Sequence, residues 1–375
     1  MRILVTGFTA NYGGVENFIM NYYRVMKQLD DSLIIDIIST AEQPAFQDEI
    51  EKMGGKVWRI PRARNKRKQT IKLKEIMNNE YYNIIWCNKC DLSDIVYLKI
   101  AYKYKIPVRI IHSHSSSNMY TGIRGIVVGI LHHCNKRNVE RYTTEFWSCS
   151  DYASEWMYLK KRVESKNYKF VPNAVDTNKF YYSNERREQY RNNFQISDKL
   201  VVGCVGTFAY AKNPHFVLEI FKEMYNLNKQ VVMLWVGNGN LKEEIEKRIV
   251  DYGLESVVQL MGVRHDVSEL MQSMDCLLLP SKFEGLPVVA IEAQAVGLHV
   301  FAAKEGISEQ SKATECFHFL SLEMNAAEWA RNILQANLEH KDTRSELIRN
   351  GFEMQEAGTK LYNQLKTLVD RIEKQ

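Results

Sequence analysis

Residues that break regular structure are scarce: the chain has 7 prolines and 19 glycines among 375 residues. That excludes collagen-like and low-complexity classes, and no Pro-rich or Gly/Ser-rich stretch marks a flexible linker. Long apolar runs are also lacking. The longest uncharged apolar stretch of the first half, Ile126–Leu131, falls far short of the ~20 residues a membrane-spanning helix needs. The opening MRILVTGF passes from one arginine straight into a buried-strand pattern, without an h-region or cleavage site, so a cytoplasmic location is expected. The 7 cysteines are odd in number and scattered, which argues against a disulfide framework and for buried thiols in a reducing compartment. Cys87 and Cys90 form a lone C-x-x-C, and His132-His133-Cys134 lacks spaced partners, so no metal site is expected.

What is present is the balance of a globular protein, 45% hydrophobic and 25% charged. Continuous apolar runs alternate with helical spacing throughout. In the first half the strands are read at 2–8, 33–39, 56–60, 82–87, 108–112 and 145–150. The second half repeats the grammar at 200–206, 230–237, 257–262, 274–280 and 298–303, with helices near 214–227, 240–252, 266–273, 287–297 and 325–338. Val/Ile runs separated by helices predict parallel sheets covered on both faces. The expectation is α/β, with two doubly wound, Rossmann-like domains facing each other across a cleft. Their bounds are 1–180 and 181–352, and a C-terminal helix over 353–375 packs back on the first. Ligands of such sheets bind beyond the carboxyl ends of the strands.

The most informative segment is 277–297, LLLPSKFEGLPVVAIEAQAVG. An apolar strand runs into a loop, then into a helix opened by Pro287 and closed by Gly297. The helix N-terminus offers unpaired N–H groups and partial positive charge, a site for an anion such as phosphate. Glu284 precedes that terminus and Glu292 lies just over one turn inside it. The two carboxylates would flank the anion, one facing a sugar and the other a ribose.

Glu284 and Glu292 in EGLPVVAIE are similar to the E-x7-E motif of retaining GT-B glycosyltransferases of family 4, in particular those that assemble capsular and exopolysaccharide repeat units. The resemblance spans nearly the whole chain, through GGVE at 13–16, IHSH at 111–114, VPNAVD at 171–176, GTFAYAKNP at 206–214, VGNG at 236–239 and LMGVRHDV at 260–267. It implies a nucleoside-diphosphate sugar as donor, UDP before other bases, with no metal or other cofactor. Glu292 would accept from the ribose hydroxyls, and Glu284 with the N–H groups of Gly285 and Leu286 would orient the sugar. Val288 and Val289 N–H groups would hold the diphosphate, Lys212 beyond the Gly206 turn would neutralise it, and backbone at Val263 and Arg264 would meet the base. His114, or else His112, would sit under the sugar, and Gly13 and Gly14 would form a close-approach loop.

One position departs from the pattern: Thr207 stands where the family carries a basic residue. Either Arg264, Lys304 or another cation supplies that charge, or the chain is a degenerate, non-catalytic partner. A nucleotide-sugar epimerase on the same fold is a further alternative. Charge is uneven as well, with +10 over residues 1–180 and −5 over 181–375, giving the net +5. Arg59–Lys74 holds eight basic and no acidic residues, among them Arg62, Arg64, Lys66, Arg67 and Lys68. Such a patch suits an anionic membrane surface. Nucleic acid is not expected, since no recognised binding module is present. Residues 120–142 add an apolar stretch between basic residues that fits either a membrane interface or a core helix. The expected acceptor is therefore a membrane-associated glycan or lipid-linked saccharide, and the expected location is the inner face of the cell membrane.

Overall fold

A computed structural model describes residues 1–61 and 65–373, with the side chain of Glu373 excepted. Arg62 and Arg64 of the basic patch lie outside the described residues. The chain forms two compact units, residues 1–174 with the helix Met354–Glu373, and Val175–Glu353.

The first unit is built on seven parallel strands: β1 (Arg2–Phe8), β2 (Ile34–Ser39), β3 (Val57–Arg59), β4 (Ile84–Lys89), β5 (Val108–Ser113), β6 (Glu145–Ser148) and β7 (Tyr168–Phe170). Their order is β3-β2-β1-β4-β5-β6-β7. In the central strand β1, Val5 lies level with Ile37 of β2 and Trp86 of β4. Ile3, Leu4 and Val5 are fully buried, as a sheet covered on both faces requires. One covering helix, Gly14–Leu29, turns Phe18, Tyr22 and Val25 inward at helical spacing. The terminal helix Met354–Glu373 packs against it through Leu361, Leu365 and Val369. Gly358 allows the approach, because a Cβ there would stand 2.5 Å from Val25 Cγ1.

The second unit has six parallel strands: β8 (Leu200–Val205), β9 (Val231–Val236), β10 (Val258–Gly262), β11 (Cys276–Leu279), β12 (His299–Ala303) and β13 (Phe317–Leu320). Their order is β10-β9-β8-β11-β12-β13. In each sheet the strand order reverses beside the unit's first strand, between β1 and β4 and between β8 and β11. Such switch points open a crevice at the carboxyl ends of the strands. Each sheet also has one edge strand more than the sequence pattern suggests, β7 and β13, of three and four residues. Among the described residues, no helix is long and apolar enough to cross a membrane.

Candidate functional site

The switch point of the second sheet brings together most of the residues singled out by the sequence. Beyond β8 the chain turns at Gly206 (φ +155°) and closes a 3-10 turn over Tyr210–Lys212. Beyond β11 the segment 280–287 is pinned by two backbone bonds and one from a side chain: Lys282 N–H donates to Ala211 O (2.8 Å), Glu284 N–H donates to Gly306 O (2.8 Å), and Asn213 Nδ2 donates to Pro280 O (3.2 Å). Gly306 must be glycine, since a Cβ would lie 1.9 Å from Ser281 O. The outcome is an ion pair across the switch point, Lys212 Nζ to Glu284 Oε1 at 2.5 Å, with both side chains partly buried. The ammonium is thereby held where both strands end.

The helix after this loop runs Val288–Ala295. Pro287 is its N-cap rather than its first residue, with extended backbone (φ −69°, ψ 109°) and no side-chain cap. Ala290 N–H is satisfied by Pro287 O at 3.0 Å. Val288 and Val289 lie in the first turn, where N–H groups have no intrahelical acceptor. Gly297 closes the helix at φ +75°, with its own N–H on Gln294 O and that of Leu298 on Ala293 O, the paired bonds of a Schellman cap. Glu292 lies on this helix, partly buried, and burial pushes its carboxyl up to about 7 while nearby Lys179 partly offsets the rise.

Thr207 is exposed, as is Val263, at 70%. Arg264 is engaged by Asp266 twice, Nε to Oδ1 at 2.8 Å and Nη2 to Oδ2 at 2.6 Å. That pairing raises the guanidinium and lowers the Asp266 carboxyl. Lys304 is exposed at the end of β12, with its N–H turned to Leu320 O of β13. Lys282, which the sequence reading did not name, is nearer the switch point. Its backbone is tied to the Lys212 turn, its Nζ lies 3.9 Å from the centroid of the Tyr210 ring, and no carboxylate pairs with it among the described residues. The signal for it was available, as a lysine two residues before Glu284.

At the carboxyl edge of the first sheet the groups singled out at the end of β5 are histidines, with Lys89 closing the neighbouring β4. His114 follows β5, and its Nε2 lies 2.8 Å from Asn88 Oδ1. The Asn88 amide is oriented by its own Nδ2, which donates to Thr6 O at 3.1 Å, so Oδ1 accepts and His114 carries its proton on Nε2. The lone pair is then on Nδ1. Burial pushes the imidazole down to about 3, so it stays neutral across the physiological range. His112 is the core partner of the pair. It is fully buried, takes a hydrogen bond from Trp86 Nε1 (3.3 Å), and lies 4.2 Å from the His114 ring, centroid to centroid. Its place among Trp86, Trp147 and Phe18 makes it a support for His114, out of reach of a ligand. Gly13 caps the helix Gly14–Leu29, where a Cβ would come within 2.8 Å of Glu16 Oε2, while Gly14 is exposed. Glu16 folds back to accept from Thr9 N (2.9 Å) and Oγ1 (2.6 Å), fixing the loop.

Lys66, Arg67 and Lys68 are exposed on the first turn of the helix Lys66–Asn79, which Asn65 caps. Arg59 is held away from the patch by Glu42 O and Gln47 Oε1, both at 2.7 Å.

Residues 186–354 match the family described as Glycosyl transferases group 1. Over 346 residues, 89% of this chain and 87% of the relative, the sequence is 25% identical to EpsF of Bacillus subtilis, a protein bearing the name of a glycosyltransferase. CapH of Staphylococcus aureus, named as a capsular polysaccharide biosynthesis glycosyltransferase, is 23% identical over 336 residues, covering 86% and 87% of the two chains. Among solved structures, Anabaena HepE in complex with UDP-glucose superposes with a TM-score of 0.71 at 17% identity, covering 100% of this chain and 98% of that one. That likeness is one of fold. With that match over residues 186–354, relatives along most of the chain named as glycosyltransferases and two parallel sheets, this chain is a transferase enzyme, a glycosyltransferase, of GT-B fold.

Proposed function

We propose that the protein is a retaining glycosyltransferase that moves a sugar from a nucleoside-diphosphate sugar, UDP first among the bases, to a membrane-associated glycan or lipid-linked saccharide in surface-polysaccharide assembly. The observation that carries this is the Lys212–Glu284 pair held at the switch point ahead of the open helix Val288–Ala295. As the bond from the anomeric carbon to the phosphate oxygen breaks, the electron pair leaves with the diphosphate. Lys212 and the first-turn N–H groups meet that charge where it develops. Glu284 is engaged by Lys212 and its role is to position the sugar and the lysine. Glu292 accepts from the ribose hydroxyls in its ionised form. His114, neutral and with Nδ1 as acceptor, takes a hydrogen bond from a sugar hydroxyl. None of these steps asks for a metal or other cofactor.

Support for surface-polysaccharide assembly comes from the name of CapH, and support for a membrane-borne acceptor from the exposed Lys66, Arg67 and Lys68. Each basic residue near an anionic surface adds about 1 kcal/mol of attraction. The surface in question is the inner face of the cell membrane.

The test is a thermal-stability screen with UDP-, GDP- and ADP-sugars, followed by an assay for nucleoside diphosphate released on adding a lipid-linked saccharide. A ligand bound to the folded state raises the melting temperature by mass action. Stabilisation by one nucleotide sugar, and acceptor-dependent release, are expected. No stabilisation by any of them would overturn the reading.

A further inference from the structure

The helix Gly122–Asn138 is an apolar element that the transferase reading leaves unused, and its burial is unusual. Only Gly125 and His132 of its 17 residues are buried. Ile123 is 83% exposed, Ile126 65% and Ile130 60%, and Val127 and Leu131 are also exposed. Positions 123, 126, 127, 130 and 131 follow the spacing of a single helical face. A core helix would turn that face inward. Here the stripe continues into Met119 and Tyr120 of the preceding loop, both exposed.

The stripe is not a fraying segment. Asn118 Nδ2 donates to Gly125 O at 2.7 Å, Tyr120 N–H donates to Asn118 Oδ1 at 3.0 Å, and a Cβ on Gly125 would lie 2.4 Å from Tyr120 O. At the other end His132 accepts from Leu92 N–H (3.0 Å) and stacks on Trp156 at 3.9 Å. Loop and helix are thus fastened to the first unit by polar contacts, leaving the apolar side free.

Charge selects the occupant. The helix contains no acidic residue, and Arg124 and Arg137 on it are exposed. The Arg124 guanidinium lies 3.9 Å over the Tyr120 ring, a cation and an aromatic side by side at the start of the stripe. A second copy of this chain would meet the stripe with the same cations, whereas an anionic bilayer offers acyl chains to the isoleucines and phosphates to the arginines. We propose that this face is a lipid-docking element that beds its isoleucines into an anionic membrane. The proposal deepens the acceptor reading above and rests on it for its biological use. The stripe begins in the segment that leaves β5 just after His114, so docking would bring the membrane toward the carboxyl end of the first sheet.

The experiment is flotation of the full chain with vesicles of phosphatidylglycerol and phosphatidylcholine, and with phosphatidylcholine alone. The wild type is expected to float with the anionic vesicles. The triple variant Ile126→Gln, Val127→Gln, Ile130→Gln should lose at least about tenfold in partition, keeping its melting temperature because the residues are exposed. A single variant, Ile126→Trp, should show blue-shifted fluorescence on adding the anionic vesicles. Flotation of the triple variant equal to wild type would overturn the proposal. So would a wild-type dimer that the triple variant dissolves while neither binds vesicles. UDP affinity measured on the same variant separates the two readings: loss of flotation with UDP binding intact supports docking. A protein that floats without binding any nucleotide sugar would refute the transferase proposal alone.

Discussion

The carboxyl edges of the two sheets share one strand order, apart from the extra edge strand β7, and differ in chemistry. In the second sheet the edge is charged: Lys212 is ion-paired with Glu284, Lys282 has no carboxylate partner among the described residues, and Glu292 sits within an open helix. In the first sheet the groups at the end of β5 are neutral, His114 and His112 being held uncharged by burial among aromatic rings, while Lys89 closes β4, Glu16 is tied to Thr9, and the helix that follows β5 turns isoleucines outward. Position in the fold therefore fixes where a ligand can bind, while the loop residues fix what kind. A lysine beside an open helix terminus suits a nucleoside diphosphate; neutral histidines beside an apolar surface suit a sugar carried on a lipid.

The sharpest way to break this contrast is to remove charge from the second edge. Lys212→Ala is expected to lower kcat by about 10²–10³, the size of effect seen when a transition-state charge partner is lost. Nucleoside-diphosphate release in the presence of acceptor measures it, and an unchanged rate would dissolve the distinction between the edges.

Glu292→Gln comes next, with a loss of ten- to about a hundredfold in nucleotide affinity at pH 8 from a missing charge-assisted hydrogen bond. Here pH dependence gives the sign. Burial holds the free carboxyl up to about 7, and ribose hydroxyls favour the ionised form, so affinity should rise as pH passes upward through 7, with release of a proton. The glutamine variant should lose that rise. Calorimetry in buffers of different ionisation enthalpy counts the proton. Without ligand the raised pKa works against the folded state: stability falls between the unfolded carboxyl value and about 7, and the variant should flatten that slope.

At the end of β5, His114→Phe should reduce kcat by about tenfold through one lost hydrogen bond, leaving UDP affinity unchanged. A fall in UDP affinity as large as the fall in kcat would contradict the division of labour. The smallest effect belongs to Lys282→Ala. A few-fold loss of UDP affinity with none for uridine is expected, on the order of a partly solvated charge contact. Thr207→Arg in that background should restore it.

Much of the second edge was readable in advance, because its chemistry is local in sequence. Strand, loop, Glu284, Pro287 and the closing Gly297 fall within 21 residues, and each has a conformational signature. What escaped the sequence depends on contacts between distant segments. Lys282 matters because Ala211 O receives its N–H, a pairing across 71 residues. Arg264 is paired with Asp266 through two hydrogen bonds, which the spacing of the two residues alone does not show. His112 and His114 look equivalent in IHSH and share one face, yet β5 ends at Ser113, which leaves His112 within the sheet beside Trp86 and His114 just beyond it. The edge strands β7 and β13 are too short to show a pattern of their own. The apolar stretch around Ile126 has the same spacing whether its partner is a protein core or a bilayer, so only the exposed face distinguishes them.

The most direct measurement compares the affinities of UDP and uridine for the wild type and for Lys212→Ala by titration calorimetry. UDP should bind at least about tenfold more tightly than uridine to the wild type, since only the diphosphate reaches the lysine and the helix terminus, and the gap should shrink in the variant. Equal affinities for the two ligands, or a gap untouched by loss of the lysine, would contradict a diphosphate site at the switch point of the second sheet.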